Sequence, residues 1–371
     1  MTTNILDAAA LRRALSLRDL TDPACGAHAM QHLLDAIALA LEREWRCRVL
    51  VWRACPVVDS RDNYDHLDYP PDGAARDARY TRYVAERTVL RTQTSAMIPP
   101  LLRALSAGPI DDVLVVCPGL VYRRDQIDRH HVGEPHQVDL WRLRRRALDE
   151  RDLARMVEVV VRAALPGQRY RTTPAAHPYT EAGRQIDVEH EDWIEIGECG
   201  LASSRVLERA GLLGVSGLAM GLGLDRLLML RKGIDDIRLL RADDPRVAEQ
   251  MLDLSPYRAV SSMPPIKRDL SIVVARDRTL EELGDRAREA LGERAGDVES
   301  IAIAAETPYE ALPEAARARL GMGPSQKNVL LRVVLRHPTR SMTHEEANVL
   351  RDVVYAAVHE GPRAEWAARA G

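Results

Sequence analysis

Arg226 is delivered by a stretch built to bring backbone close to something flat. It follows GLAMGLGLD (Gly217–Asp225), where Gly217, Gly221 and Gly223 punctuate an apolar run. Glycine has no side chain to block an approaching group, so a strand of this kind can meet a ligand with its backbone. From Leu224 the apolar residues Leu227, Leu228, Leu230 and Ile234 recur at helical spacing, which puts Asp225 and Arg226 in the first turn, off the apolar face. Arg226 therefore presents a permanently charged planar fork at a strand-to-helix turn. A second arginine, Arg123, follows the apolar strand Val113–Cys117 and a Pro-Gly turn, at the head of a long polar loop. Beyond the loop, Gln137 and Asp139 occupy alternate positions of another strand and point to one face, so an amide and a carboxylate can meet a single cation there. His130, His131 and His136 make a zinc site the rival reading, but their spacing is wrong for it and no cysteine is at hand. The plainer alternative for Gly217–Arg226 is a buried strand and an amphipathic helix with a solvated Asp-Arg pair.

The elements that must position these residues can be read in order. Residues 1–20 form a short helical leader. Met30, Leu33, Leu34, Ile37 and Leu41 mark a helix, and Cys47–Val58 reads as β before Pro56. Leu153–Leu165 is a helix closed by Pro166-Gly167. Asp253–Pro265 has the proline and serine content of a linker, after which strand, helix, strand, strand and helix follow at 266–275, 279–291, 298–305, 328–335 and 343–359. At 371 residues the chain exceeds the roughly 250–300 at which single cores stop growing, so two domains are expected. No apolar stretch approaches the roughly 20 residues of a membrane span, and the N-terminus lacks a secretory core, so a cytoplasmic protein with no membrane partner is expected. Five cysteines without any C-x-x-C point to buried thiols in a reducing compartment. A net charge of -3 gives no global attraction to nucleic acid, and any RNA contact must be local. The chain contains no phenylalanine.

The glycine stretch and its arginine resemble motif 3 of class II aminoacyl-tRNA synthetases, in particular the phenylalanyl-tRNA synthetase α-type catalytic domain. DNYDHLDYP (Asp62–Pro70), LRTQTS (Leu90–Ser95), VYRRDQIDRHHVGEPHQVDLWRL (from Val121) and HPYTEAGRQIDVEHEDWIEIGECG (His177–Gly200) resemble further blocks of it. The resemblance implies an ATP-dependent, AMP-forming ligase of the α+β class: an antiparallel sheet flanked by helices over residues 21–252. It implies catalytic roles for Arg123, at the α-phosphate, and Arg226, at the γ-phosphate. Asp125, His131, Gly221 and Gly223 would join them at ATP. Gln93, Ser95, Gln137, Asp139, His177, Tyr179, Ala219 and Met220 would line the amino-acid pocket. Glu195 and Glu198 would hold Mg2+. Gln93, His177 and Met220 depart from the family's usual residues, so an amino acid with a polar ring is expected rather than phenylalanine.

Residues 266–371 resemble the ferredoxin-fold anticodon-binding domain of the same enzymes, with a βαββα order after a linker at 253–265. Lys267, Arg268, Arg336 and Arg340 are its candidate RNA contacts, and tRNA is the implied acceptor. Two other readings stand beside tRNA charging: a paralogous ligase that passes its adenylate to a small molecule, peptide or protein amine, and a catalytically silent module. The resemblance implies a homodimer or a monomer.

Overall fold

The computed structural model describes residues 5–73, 76, 80–260 and 264–362. The ends of the expected leader and C-terminal domain (1–4 and 363–371), and linker residues 261–263, lie outside the described residues. The chain divides into two compact units: residues 1–123, 134–234 and 249–257 form the first, and 124–133, 235–248 and 258–371 the second.

The first unit is built on seven strands: β1 (Arg48–Val51), β2 (Asp112–Leu120), β3 (His136–Arg144), β4 (Tyr170–Pro174), β5 (Thr180–Glu189), β6 (Trp193–Ala202) and β7 (Ser216–Gly223). They pair in the order β1-β2-β3-β7-β6-β5-β4. Only β1 and β2 run parallel; the other neighbours are antiparallel. The glycine-punctuated β7 is thus flanked by β3 and β6 along an unbroken register, with Ala219 opposite Trp141 and Gly200, and Gly221 opposite Asp139 and Glu198.

Alternation along β7 divides its residues between two faces. Ala219 lies with Val113, Val115, Trp141 and Leu143 in a buried cluster that includes Ile98, Leu101, Leu102, Val206 and Leu207. Leu218, Met220 and Leu222, with Leu114, Val116 and Leu140, are buried on the opposite face. Helices Ala29–Trp45, Glu150–Ala164 and Leu224–Lys232, here α1, α2 and α3, pack against one another and against this sheet. A full capping box at Asp149 and Asp152 starts α2, and Gly233 in the left-handed region stops α3. The expected leader is part of this unit. Ala14 joins Leu90, Leu120 and Tyr122 in a small core, and Leu20 and Thr21 are almost fully buried.

In the second unit, β8 (Ile266–Ala275), β9 (Val298–Pro308) and β10 (Gln326–Leu335) pair antiparallel in the order β8-β10-β9. Helices α4 (Leu280–Leu291) and α5 (His344–Val358), each begun by a Thr/Glu capping box, pack on the sheet around Leu270, Ile272, Leu283, Leu331, Val333 and Leu350. The 1-3-2 strand arrangement and, apart from the short helix Glu314–Leu320 inserted between β9 and β10, the βαββα order resemble those of a ferredoxin-like core. Ile127, from the polar loop after Arg123, is buried in this same core and its carbonyl accepts from the amide of Ile301 at 2.8 Å.

Close packing of β6 on β7 depends on Gly197, where a Cβ would lie 2.2 Å from the carbonyl oxygen of Gly221. Gly197→Ala is expected to cost about 1–3 kcal/mol of stability, read as a lower urea midpoint with an unchanged slope.

Candidate functional site

The site grows from the bare face of β7. Gly217, Ala219, Gly221 and Gly223 share one parity, but only the last two are open: Gly217 is covered by Ala202 and Leu143 and Ala219 by the cluster around Trp141, whereas a Cβ placed on Gly223 would meet nothing within 4 Å, one on Gly221 only an Asp139 carboxylate oxygen at 3.9 Å. A trough therefore runs along β7, walled by Gln137, Asp139 and Trp141 of β3 and by Glu198 of β6. Met220 has the other parity. Sequence reasoning grouped it with Ala219, but strand alternation turns adjacent residues to opposite faces, so the structure does not bring Met220 to the trough.

At one end of the trough stand the two arginines. Arg226, in the first turn of α3, donates from Nη1 to the backbone carbonyl of Glu195 at 2.7 Å. The Glu195 carboxyl is pushed above the usual carboxylate range by burial first and then by the charge of Glu198, while Arg226 and Arg123 pull it back. Both arginines therefore act electrostatically on one carboxyl group. Among the described residues no set of three or more His, Cys, Asp or Glu side chains is arranged to hold a metal ion.

At the other end is Asp139, almost fully buried. Its Oδ2 accepts from Thr94 Oγ1 at 2.7 Å, both oxygens accept from Ser95 Oγ at 3.0 Å, and Oδ1 accepts from Trp141 Nε1 at 3.1 Å. Burial pushes its pKa up, and these hydrogen bonds oppose the shift. Neutral dipoles thus hold a buried carboxylate that a ligand cation would complement. Gln93 lies nearby, accepting from Tyr69 Oη at 2.8 Å and donating to the carbonyl of Asn63 at 3.1 Å. Tyr179 stacks on Trp141, centroids 6.1 Å apart, and lies 6.2 Å from Tyr69 and 6.4 Å from His177. Sequence reasoning missed Thr94, Tyr69 and Trp141. The first two sat inside stretches already singled out, and Trp141 is two residues beyond Asp139, so period-2 alternation alone would have found it.

His136 is the first residue of β3. It is fully buried, its Nε2 accepting the Leu20 amide at 3.0 Å and its Nδ1 lying 3.0 Å from Asp225 Oδ1. A backbone amide only donates, so the imidazole proton must sit on Nδ1. This bond ties the start of β3 to the first turn of α3, beside Arg226.

Asp125 and His131 belong to the second unit. Arg288 donates to the carbonyls of Asp125 and Gln126, both at 2.8 Å, Arg124 pairs with Asp285 at 2.9 Å, and His131 Nδ1 lies 2.8 Å from Asp128. Of the candidate RNA contacts, Arg336 pairs with Glu299 at 2.7 Å, Arg340 with Glu346 at 3.0 Å, and Arg268 donates to Asn348 at 3.1 Å. Lys267 is exposed on β8.

A protein family described as tRNA synthetases class II core domain (F) matches residues 31–251. The chain belongs to that family. The class II core thus spans the seven-stranded sheet, α1, α2 and α3. Among similar proteins is the phenylalanine–tRNA ligase alpha subunit of Prochlorococcus marinus (strain NATL2A), 37% identical over 191 residues, 51% of this chain and 56% of the relative. The phenylalanine–tRNA ligase alpha subunit of Exiguobacterium sp. is 33% identical over 204 residues, 51% of this chain and 59% of the relative. The chain therefore spans a little over half the length of these curated relatives. A solved pyrrolysyl tRNA synthetase from Desulfitobacterium hafniense aligns with 58% of this chain and 73% of its own at 18% identity and a TM-score of 0.45.

Protonated Asp139 cannot attract an ammonium. Binding of an L-amino acid, followed by calorimetry, should therefore weaken as pH falls through the raised pKa, by up to about tenfold per pH unit, starting above the range of an ordinary aspartate. Asp139→Asn should abolish both the binding and its acid limb.

Proposed function

We propose that the chain is an AMP-forming ligase that activates an amino acid with ATP and passes it to tRNA. The observation that carries the reading is the pairing, on the bare face of a class II sheet, of two arginines acting on one carboxyl group with a buried, cation-seeking carboxylate further along the trough. One end suits phosphates and a substrate carboxylate, the other an ammonium. An amino acid laid along β7 then has its carboxylate held toward the α-phosphate of ATP, and in-line attack gives an acyl-adenylate and pyrophosphate.

In this reading Arg123 neutralises charge building on the α-phosphate, and Arg226 binds the far end of the triphosphate. Neither needs to move at the moment of reaction, because Arg226 is fixed by the Glu195 carbonyl and by its place in α3. Positioning and charge stabilisation suffice, and no protein nucleophile is required. Gly223, next to the turn that carries Arg226, lets the nucleotide approach the backbone, and Gly221 leaves room for the amino acid. Mg2+ would neutralise phosphate charge. Glu195 is the carboxylate placed for it beside the arginines, and with no larger acidic cluster the ion would rely on phosphate oxygens and water for its remaining ligands. The second unit is assigned to tRNA. Its strand-and-helix order supports this, and Lys267, Arg268 and Arg340 are among its exposed or partly exposed basic groups. Among the described residues no helix is long and apolar enough to cross a membrane. The five unpaired cysteines fit a reducing, cytoplasmic setting. The family relationship favours tRNA over another amine as acceptor.

ATP–pyrophosphate exchange tests the first half. Exchange with one amino acid should appear in the wild type and fall by about 100-fold or more in Arg123→Ala and Arg226→Ala, the scale expected when a preorganised charge at the reacting group is removed. Retention of exchange in Arg226→Ala would overturn the assignment. For the second half, transfer of labelled amino acid to tRNA should require the full chain and weaken when Lys267 and Arg268 are both changed to Ala, with exchange unaffected.

A further inference from the structure

The β-register sets a second carboxylate opposite the first. Gly221 is the direct neighbour of Asp139 on one side and of Glu198 on the other. Directly paired residues point to the same face, so the two carboxylates bracket the glycine two strand spacings apart, about 10 Å between backbones. The gap between them is open: a Cβ on Gly221 would touch nothing but Asp139 Oδ2, at 3.9 Å.

A second, independent feature faces the same gap. The His177 side chain is only 8% exposed and Glu198 Oε2 lies 3.0 Å from its Nε2. That contact is out of line for a hydrogen bond, leaving Nε2 a buried polar atom without one, while Nδ1 faces Thr180 Oγ1 at 3.2 Å. Glu198 itself is 45% exposed and keeps an oxygen for a ligand. Negative charge from both Asp139 and Glu198 reaches the hydroxyls of Tyr69 and Tyr179, raising both above the usual phenol range in addition to the larger effect of burial. Arg123 and Arg226 act on Glu195, and Arg184 is paired with Glu150 at 3.0 Å.

We propose that the trough over Gly221 selects an amino acid with a basic side chain, a diamino acid of the ornithine or lysine type, whose α-ammonium faces Asp139 and whose distal ammonium is bound by Glu198 beside His177. This rests on the adenylation reading and names its substrate class. It replaces the expectation of a polar ring: Tyr179 already stacks on Trp141 and lies against Tyr69 at the aromatic end of the trough, whereas the open part is bounded by carboxylates. A neutral aromatic side chain would desolvate Glu198 and leave it only the out-of-line His177 contact in place of water, which binding sites reject strongly.

The test is ATP–pyrophosphate exchange with L-lysine, L-ornithine and L-2,4-diaminobutyrate against L-phenylalanine, L-tyrosine and L-leucine, in the wild type and in Glu198→Gln. At least one diamino acid should give a kcat/KM tenfold or more above every neutral acid. Glu198→Gln should raise its KM by about 10- to 100-fold, the loss of a charged hydrogen bond, with kcat changed far less. Equal or better exchange with a neutral acid, or an unchanged KM in Glu198→Gln, would overturn the proposal and leave the adenylation reading standing. Should the wild type exchange with no amino acid, adenylation is what has failed, and calorimetry with L-lysine alone decides the trough: binding lost in Glu198→Gln supports it, and no binding to the wild type overturns it.

Discussion

Everything in the first unit depends on one strand having two unlike faces. β7 presents Leu218, Met220 and Leu222 to a buried apolar layer, and Gly217, Ala219, Gly221 and Gly223 to the opposite side. The apolar half anchors the strand in the middle of a seven-stranded sheet. On the other side Gly217 and Ala219 are still covered by the cluster around Trp141 and Leu143, and only from Gly221 to Gly223 is there no side chain to fill the space. The strand is thus rigid along its length and bare at one end, where β3 lends Gln137 and Asp139 as a wall and β6 lends Glu198.

Charge is then sorted along the trough rather than balanced within it. Arg226 is delivered by the turn that ends β7, and its helix is fixed at the first turn by Asp225, His136 and, through the Leu20 amide, the N-terminal segment. The carboxylates Asp139 and Glu198 arise two residues back along the strand, on either side. The gradient is held by buried hydrogen bonds that already exist in the protein: three donors on Asp139 and a backbone carbonyl on Arg226.

The second unit shows a different economy. It has a buried apolar core of its own, to which are added capping boxes at its two long helices and a charge network in which Glu299 meets Arg129 at 2.8 Å and Arg336 at 2.7 Å. Arginines that look like a nucleic-acid surface in the sequence are partly spoken for by internal carboxylates, so the basic character of this unit is less than its composition suggests.

The sequence by itself determined the strand-to-helix turn that carries Arg226 and, but for the short helix Glu314–Leu320, the order of elements in the C-terminal part, because these are local matters of periodicity, glycine placement and capping, while the α+β class followed from the resemblance of its motifs to a family. It also marked stretches that the structure brings together around β7. Only the tertiary structure decided which members of those stretches meet. Met220 turns away because strand parity is absolute, and Glu198 joins Asp139 because register across three strands is not written in any one of them. His136 is buried because a segment more than a hundred residues earlier closes over it, and the loop holding Asp125 and His131 belongs to the second unit because Ile127 finds its apolar partners there. These are long-range pairings, and the free energy that selects them is gained only when the distant partners are already in place.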